Sequence, residues 1–523
     1  MGAEVGTDPR MVEHPAPPAR AGAGPDTRPR VVVVGGGIAG LCAATGLAER
    51  GVDVELVERR AHLGGRVGGW TEQIGDGSSV AMSRGFHAFF RQYYNLRGLL
   101  RRTDPELRRL TAVDDYPLVD ARGNRDTFRG LPRTPPWNAL VFALRSPTFR
   151  ARDILRLDHR AAAPLADVAV PDIYHRLDHL DAETFLRRIN FPDSARHLAF
   201  EVFSRSFFAP PAQLSAAELA MMFHLYFLGS NEGILFDVPD AGFDRSLWSP
   251  LQKYLTARGV DFRFGTSVDR VEPVGAHRAL RVHDDTGSTV EADGVVLAAD
   301  VAGLQRIAAA SPELAGPRWS DAVRGLRTAP PFFVHRLWLD RRVAPHRPAF
   351  LATGGLQPLD NISVLDRYDG DAREWAVHRG GSVVELHAYG LPAVDRPGRE
   401  AHTARLRQQL VRRLHELYPE TARAGIVAES ALHQDDCPLF GPGDFAGRPG
   451  VRTPHPGLVL AGDGVRIDLP VALMERAATT GWHAANCLLE RWGLPGHALR
   501  SVPTRGRLAA LRWLAARGRE EGP

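Results

Sequence analysis

Lysine is almost missing from this chain: among 65 basic residues only Lys253 is a lysine, so the formal charge of +4 is carried by arginine. The arginines are spread along the sequence and mixed with aspartate and glutamate. A nucleic-acid binder gathers them on one face or helix, so no nucleic-acid partner is expected. Their abundance beside Ala, Gly and Pro reads as coding bias and carries no functional weight. Cysteine is scarce as well. Cys42, Cys437 and Cys487 form no close pair, which argues against a disulfide framework and a CxxC metal site, so no metal is expected and a reducing, cytoplasmic setting is. No apolar run approaches the roughly 20 residues that cross a bilayer. The N-terminus lacks the apolar core of a signal peptide, and Gly6 stands where an N-acylation motif needs Ser or Thr. No internal repeat is visible. What is left is ordinary globular composition, 44% hydrophobic and 24% charged over 523 residues, long enough for more than one domain.

Residues 1–29 are rich in Pro, Ala and Gly and read as a disordered tail. Order begins at Arg30. Val31–Val34 is a continuous β-branched run, the pattern of a strand buried on both faces. Ile38–Arg50 follows as a helix stopped by Gly51, and Val52–Val57 as a second strand, which makes one βαβ unit. Strand-like runs return at Val260–Phe264, Val268–Val271, Leu280–Val282 and Thr289–Ala299, and again at Gly457–Leu460 before a helix from Val471 to Leu489. Arg101–Pro250 is aromatic-rich and largely helical by periodicity, while Phe332–Leu339 and Ser382–His387 look like strands. The expected fold is α/β. A discontinuous two-dinucleotide-binding (Rossmann-type) domain is built from 30–100, 250–310 and 440–495. An inserted α+β substrate domain comprises 101–249 and 311–439, and 496–523 forms a basic tail.

Gly35, Gly37 and Gly40 meet the G-x-G-x-x-G spacing. The first allows the tight strand-to-helix turn, the second lets backbone approach a pyrophosphate, and the third lets helix pack on strand. The anion then sits at the helix N-terminus, against Gly37, Ile38, Ala39 and Gly40, where unpaired N–H groups favour negative charge. Glu58 ends the second strand, where a carboxylate accepts hydrogen bonds from an adenosine ribose. Alone the glycine turn is a weak signal; strand, glycines, helix, strand and acid in order make it strong.

The residues after Glu58, from Arg59 to Arg66, resemble the E-x(5)-G-G-R extension of the flavoprotein amine oxidase and phytoene desaturase superfamily. That resemblance implies FAD, with Arg59, Gly65 and Arg66 by the cofactor. LVLAGDG, Leu458–Gly464, is similar to the closing flavin motif of the same superfamily, where Gly462 and Asp463 would meet the ribityl or pyrophosphate part. Met474 opens the helix that follows, and Val268 lies on an intermediate strand; both join the expected FAD site. MSRGFHAFFRQYYN, Met82–Asn95, resembles the segment that runs beside the flavin ring in plant-type carotene desaturases. With DDYPLVD and FRGLPRTPPWN it is closer to one branch, the bacterial carotenoid ring-aromatising enzymes called β-carotene desaturase/methyltransferases or isorenieratene synthases. The resemblance runs from Arg30 to about Leu489.

It implies an FAD-dependent oxidoreductase that desaturates the β-ionone ring of β-carotene with an intramolecular methyl shift; the electron acceptor is left open. Alternatives are a desaturase or isomerase of the linear polyene, an amine oxidase, or a non-catalytic lipid escort. His87 is the candidate catalytic group, as a base or as a brace for the flavin; a merely packed histidine is the plain alternative. Cys437, upstream of the closing motif, is where some amine oxidases attach flavin covalently. The aromatic and thioether residues Phe200, Phe203, Phe207, Phe208, Met221, Met222, Phe223, Tyr226, Phe227 and Phe236 suit either a polyene tunnel or a core. A carotenoid substrate must be drawn from a bilayer, so peripheral contact with a membrane surface is expected, with Arg505–Arg519 as the candidate surface helix.

Overall fold

The computed structural model describes residues 8–19, 28–149, 153, 156–193, 207–275 and 279–507. At the glycine motif, strand Arg30–Val34, helix Ile38–Ala48 and strand Asp53–Glu58 form the βαβ unit, its strands paired in parallel. Val31, Val32 and Val33 are fully buried, because a central parallel strand is covered on both faces. Its other neighbours come from far along the chain. The sheet runs Asp261–Phe264, Asp53–Glu58, Arg30–Val34, Gly294–Leu297, Leu458–Leu460, parallel throughout. Three separated stretches thus build one Rossmann-type layer.

The opening helix Ile38–Ala48 is buried along its whole length and packs against the closing helix Leu473–Arg491. Glycine sets that approach: a Cβ on Gly481 would stand 2.2 Å from the Ala39 carbonyl oxygen. The second body is a mixed sheet in the order Ile426–Gln434, Phe332–Leu339, Ser382–Ala388, Asn361–Val364, Phe350–Gly354, Leu118–Asp120, Arg125–Asp126. Period-two alternation divides its faces. Phe333, Leu337, Val384 and Leu386 join Leu406, Leu410 and Leu414 of helix Arg396–Leu417 in one apolar cluster. The alternate residues point the other way: Trp338 and Val383 pack with Ile74, Val80 and Met82, and Phe332, Val334 and His387 line a cavity. Helices Asp172–Leu177, Ala182–Arg188 and Ala216–Phe223 pack a separate core with Phe185, Met221 and Met222.

Several sequence expectations are corrected. Part of the supposed disordered tail is ordered: Val12–His14 pairs antiparallel with Leu499–Ser501, and buried Asp8 accepts a hydrogen bond from the Asn231 backbone N–H. Strand addition draws on backbone groups, which composition does not register. The same pairing draws 499–501 of the expected basic tail onto the body, where His497 and Val502 are also buried; residues 508–519 of its candidate surface helix lie outside the described residues. The domain boundaries move as well. Leu314, Trp319 and Val323, assigned to the substrate domain, and Phe243, Leu247 and Trp248 belong to the nucleotide core, while Phe440 and Phe445 join the helical core. The stretch 101–249 also holds short strands, Leu110–Ala112, Leu118–Asp120, Arg125–Asp126 and Phe236–Pro239. Runs of two to four residues are too brief to show a period. Among the described residues no helix is long and apolar enough to cross a membrane.

Candidate active site

Helix Ile38–Ala48 begins at Gly37 with no side-chain cap. Buried N–H groups at an uncapped helix start demand a partner, and an anion supplies one. The turn itself admits only glycine. Gly35 has φ +106°, and a Cβ there would lie 2.6 Å from the Ala298 carbonyl oxygen; one on Gly40 would lie 1.9 Å from that of Gly35. The second glycine pair folds against the first: Gly64 donates its N–H to the Gly36 carbonyl at 2.8 Å, and a Cβ on Gly65 would stand 3.1 Å from Gly37 Cα.

Glu58 accepts from the Gly36 N–H at 2.7 Å and the Arg60 N–H at 2.8 Å. Each carboxylate oxygen keeps a second acceptor direction, and the residue lines the same cavity as the glycines. Arg66 and Asp463, one from each half-site, meet at 2.5 Å. Burial works against the guanidinium charge, but Asp463 more than offsets it and raises Arg66 above its ordinary value. Arg59 pairs instead with Asp300 at 2.5 Å. Gly462, Val268 and Met474 also line the cavity. Every expected FAD residue except Gly40 therefore borders one space, and Gly40 acts behind it by letting helix and turn close. This is a cradle that glycine backbone opens, an uncapped helix end polarises and a carboxylate marks for ribose; its residues fit FAD.

The cavity continues from this cradle into an aromatic-walled region. Phe86 and Phe350 face each other with centroids 4.5 Å apart, Phe208 and Phe332 at 4.7 Å, and Tyr116 and Phe128 at 4.3 Å. Of the expected tunnel residues, Phe207, Phe208 and Phe236 line the cavity. Met221, Met222, Tyr226 and Phe227 are buried in the helical core, with Phe223 packed against it; Phe200 and Phe203 lie outside the described residues. Phe128, Phe332 and Phe350 were not singled out, since nothing local distinguishes a cavity wall from a core. Two bulky lining residues, Phe208 and Leu473, hold left-handed backbone at φ 56° and 53°, strain of the kind that collects at functional sites.

Polar groups enter the apolar region at few points. His87 lines it, with Nδ1 donating to the Gly85 carbonyl at 2.9 Å. A carbonyl only accepts, so Nε2 carries the lone pair. Burial, reinforced by Arg84 and His387 nearby, lowers His87 to about 4, so it is a neutral imidazole at pH 7. Arg84 is buried and held in two parallel bonds by Asp436, at 2.7 and 2.5 Å. Cys437 adjoins them, its thiol pushed up to about 11 by burial. Sequence reasoning missed His387, Tyr389 and Asn361, which also line the cavity. Their only local signal was the strand pattern Ser382–His387. Lys253 is exposed on helix Ser249–Thr256 and is not among the lining residues. Among the described residues no group of His, Cys, Asp and Glu is arranged to hold a metal ion.

The model of the flavin-containing amine oxidoreductase family matches residues 38–489. Over 512 residues the chain is 54% identical to a carotenoid phi-ring synthase of Streptomyces griseus, covering 98% of this chain and 97% of the relative. A carotenoid phi-ring synthase of Chlorobaculum tepidum is 27% identical over 600 residues, covering 92% and 91%. Among solved structures, a redesigned putrescine oxidase superposes with TM-score 0.63 at 17% identity, covering 89% of this chain and 99% of its own; that likeness speaks for the fold. With its two half-sites joined through Arg66 and Asp463, this chain belongs to the flavin-containing amine oxidoreductase family and is an FAD-dependent oxidoreductase.

Proposed function

We propose that this enzyme aromatises the β-ionone end ring of a carotenoid such as β-carotene, with migration of one methyl group, to give an aromatic ring of the isorenieratene type. The observation that carries it is the continuity of the FAD cradle with an aromatic-walled cavity, in a chain 54% identical to a phi-ring synthase. Lys253, exposed and away from the lining, counts against the amine oxidase alternative.

Bound FAD supplies the hydride acceptor, and Gly35, Gly37, Ile38, Ala39, Glu58, Arg66, Asp463 and Met474 would hold it. Everything else falls to the chain. Loss of hydride from the ring leaves a carbocation that the conjugated chain spreads, and a methyl group on the geminal carbon moves to its neighbour with its bonding pair. Two hydrides and two protons leave per ring. Aromatic faces stabilise positive charge and offer no nucleophile to quench it. Cys437, kept as a thiol by burial, is not a thiolate that would trap the cation.

Peripheral membrane contact is part of the same proposal. Helix Trp137–Arg145 leaves Trp137, Leu140 and Leu144 exposed at 53%, 38% and 63%. Exposed Arg129, Arg133 and Arg145 flank that face, a combination suited to an anionic lipid surface. On its inner side Phe142 stacks on Phe128 of the cavity wall at 4.8 Å, so the apolar patch lies next to the substrate space.

Expression in a host that accumulates β-carotene, followed by pigment analysis, tests the reading. Aromatic end groups are expected. Unchanged β-carotene, or products altered only along the linear chain, would overturn it.

A further inference from the structure

Strand Ser382–Ala388 carries Glu385 and His387, and Tyr389 follows at its end. The period of two puts these three side chains on one face, the face opposite the helix-covered cluster. Register supplies the rest: Arg336 lies across from Glu385, and Asn361 across from His387.

The result is a continuous hydrogen-bonded row. Arg336 donates through Nε and Nη2 to Glu385 Oε2 at 2.9 and 2.7 Å. Glu385 Oε1 and His387 Nε2 are 2.8 Å apart, His387 Nδ1 and the Tyr389 hydroxyl 2.8 Å, and Asn361 Nδ2 donates to that hydroxyl at 3.1 Å. Glu385 and His387 are buried to 0% and 1% exposure, while His387, Tyr389 and Asn361 reach the cavity. Direction follows from chemistry. Burial would raise the Glu385 carboxyl, but Arg336 and His387 outweigh it and hold it near 2. An ionised carboxylate only accepts, so His387 Nε2 carries hydrogen; in the neutral imidazole Nδ1 then holds the lone pair, and the Tyr389 O–H donates to it.

Resting on the ring-aromatising reading, we propose that Tyr389 is the group that takes the ring's protons, with His387, Glu385 and Arg336 as its relay. A ring C–H bond next to the carbocation breaks, and its electron pair becomes the new ring double bond. The proton binds the Tyr389 oxygen while the original hydroxyl proton passes to His387 Nδ1. The imidazolium so formed lies 2.8 Å from the Glu385 carboxylate. A carbocation is acidic enough for a weak base, so what matters is a lone pair at the cavity wall with somewhere to store positive charge. At His87 burial and the Arg84 charge outweigh the pull of Glu385, so a proton is held less well there. Asp360 bonds the Tyr389 backbone N–H at 2.5 Å and fixes the end of the strand.

The test uses FAD-loaded protein and β-carotene in phosphatidylcholine vesicles. Flavin bleaching, which reports the first hydride, is read under anaerobic single turnover; the aromatic product, which needs two, is read in a parallel run with an added quinone as electron acceptor. Tyr389→Phe should keep FAD and bleach within about threefold of wild type, while aromatic product falls about a hundredfold or more. His387→Gln should show the same split. Aromatic product at the wild-type rate from Tyr389→Phe would overturn the relay. So would bleaching and product falling equally in both relay variants, the mark of a purely structural network. A wild-type enzyme that bleaches yet makes no aromatic pigment would overturn the ring reading itself, and its pigments distinguish that failure.

Discussion

Replacing Gly40 with alanine tests whether the cradle depends on the closeness of helix and turn. The added Cβ would stand 1.9 Å from the Gly35 carbonyl oxygen and 3.1 Å from its carbon. Both are backbone atoms of the turn, so no rotamer relieves the overlap. Helix and turn must part by about 1 Å, since Cβ contacts under 3.0 Å are essentially never seen. Overpacking typically costs about 1–3 kcal/mol, and a rigid backbone partner puts this case at the upper end. Apoprotein can relax the turn, whereas the bound state needs it closed, so the cost falls on binding. About 3 kcal/mol corresponds to roughly a hundredfold weaker FAD binding. Gly51 is the control: it has φ +77° with nothing within 4 Å, so alanine there costs about 1–2 kcal/mol of backbone strain and no affinity. Titration of each apoprotein with FAD, read by flavin fluorescence quenching beside its thermal melt, separates the two effects. Gly40→Ala binding FAD within twofold of wild type would refute the reasoning.

Glu475 is buried under the short helix Tyr94–Leu100, and burial pushes its carboxyl up to about 8 despite bonds from the Asn95 and Leu96 N–H groups. The folded state therefore holds a proton that the unfolded state releases near 4.5, so stability falls as pH rises from there through about 8. Melting temperatures across pH 5–8 should fall more steeply in wild type than in Glu475→Gln, and identical slopes would count against it. Replacing Trp137, Leu140 and Leu144 together with serine should weaken cosedimentation with anionic liposomes about tenfold or more while sparing FAD binding; undiminished binding would discard that surface. Acid precipitation should release all the flavin, because a Cys437 thiol raised to about 11 supplies almost no thiolate for attachment. Colour retained in the pellet would contradict it.

What the sequence determined by itself was local. The order of strand, glycines, helix and acid from Val31 to Glu58 states backbone requirements that only glycine and a short apolar run satisfy, so dinucleotide binding was legible without any fold. Arg66 and Asp463 were legible as separate motifs, but their 2.5 Å contact joins positions 397 residues apart, and no local rule specifies it. Tertiary structure alone decided which aromatic residues wall the cavity. Burial of apolar surface is non-directional, so Phe208 on the wall and Phe227 in the core carry the same signal. The order within 8–19 and 497–502 escaped notice because strand pairing spends backbone hydrogen bonds that side-chain composition does not report. Glu385, His387 and Tyr389 were readable only as alternate positions of a strand. Which face met the cofactor cavity, and which arginine lay opposite, was set by sheet register and by packing of helix Arg396–Leu417 on the other side. A relay of four side chains from two strands exists only once those strands are paired.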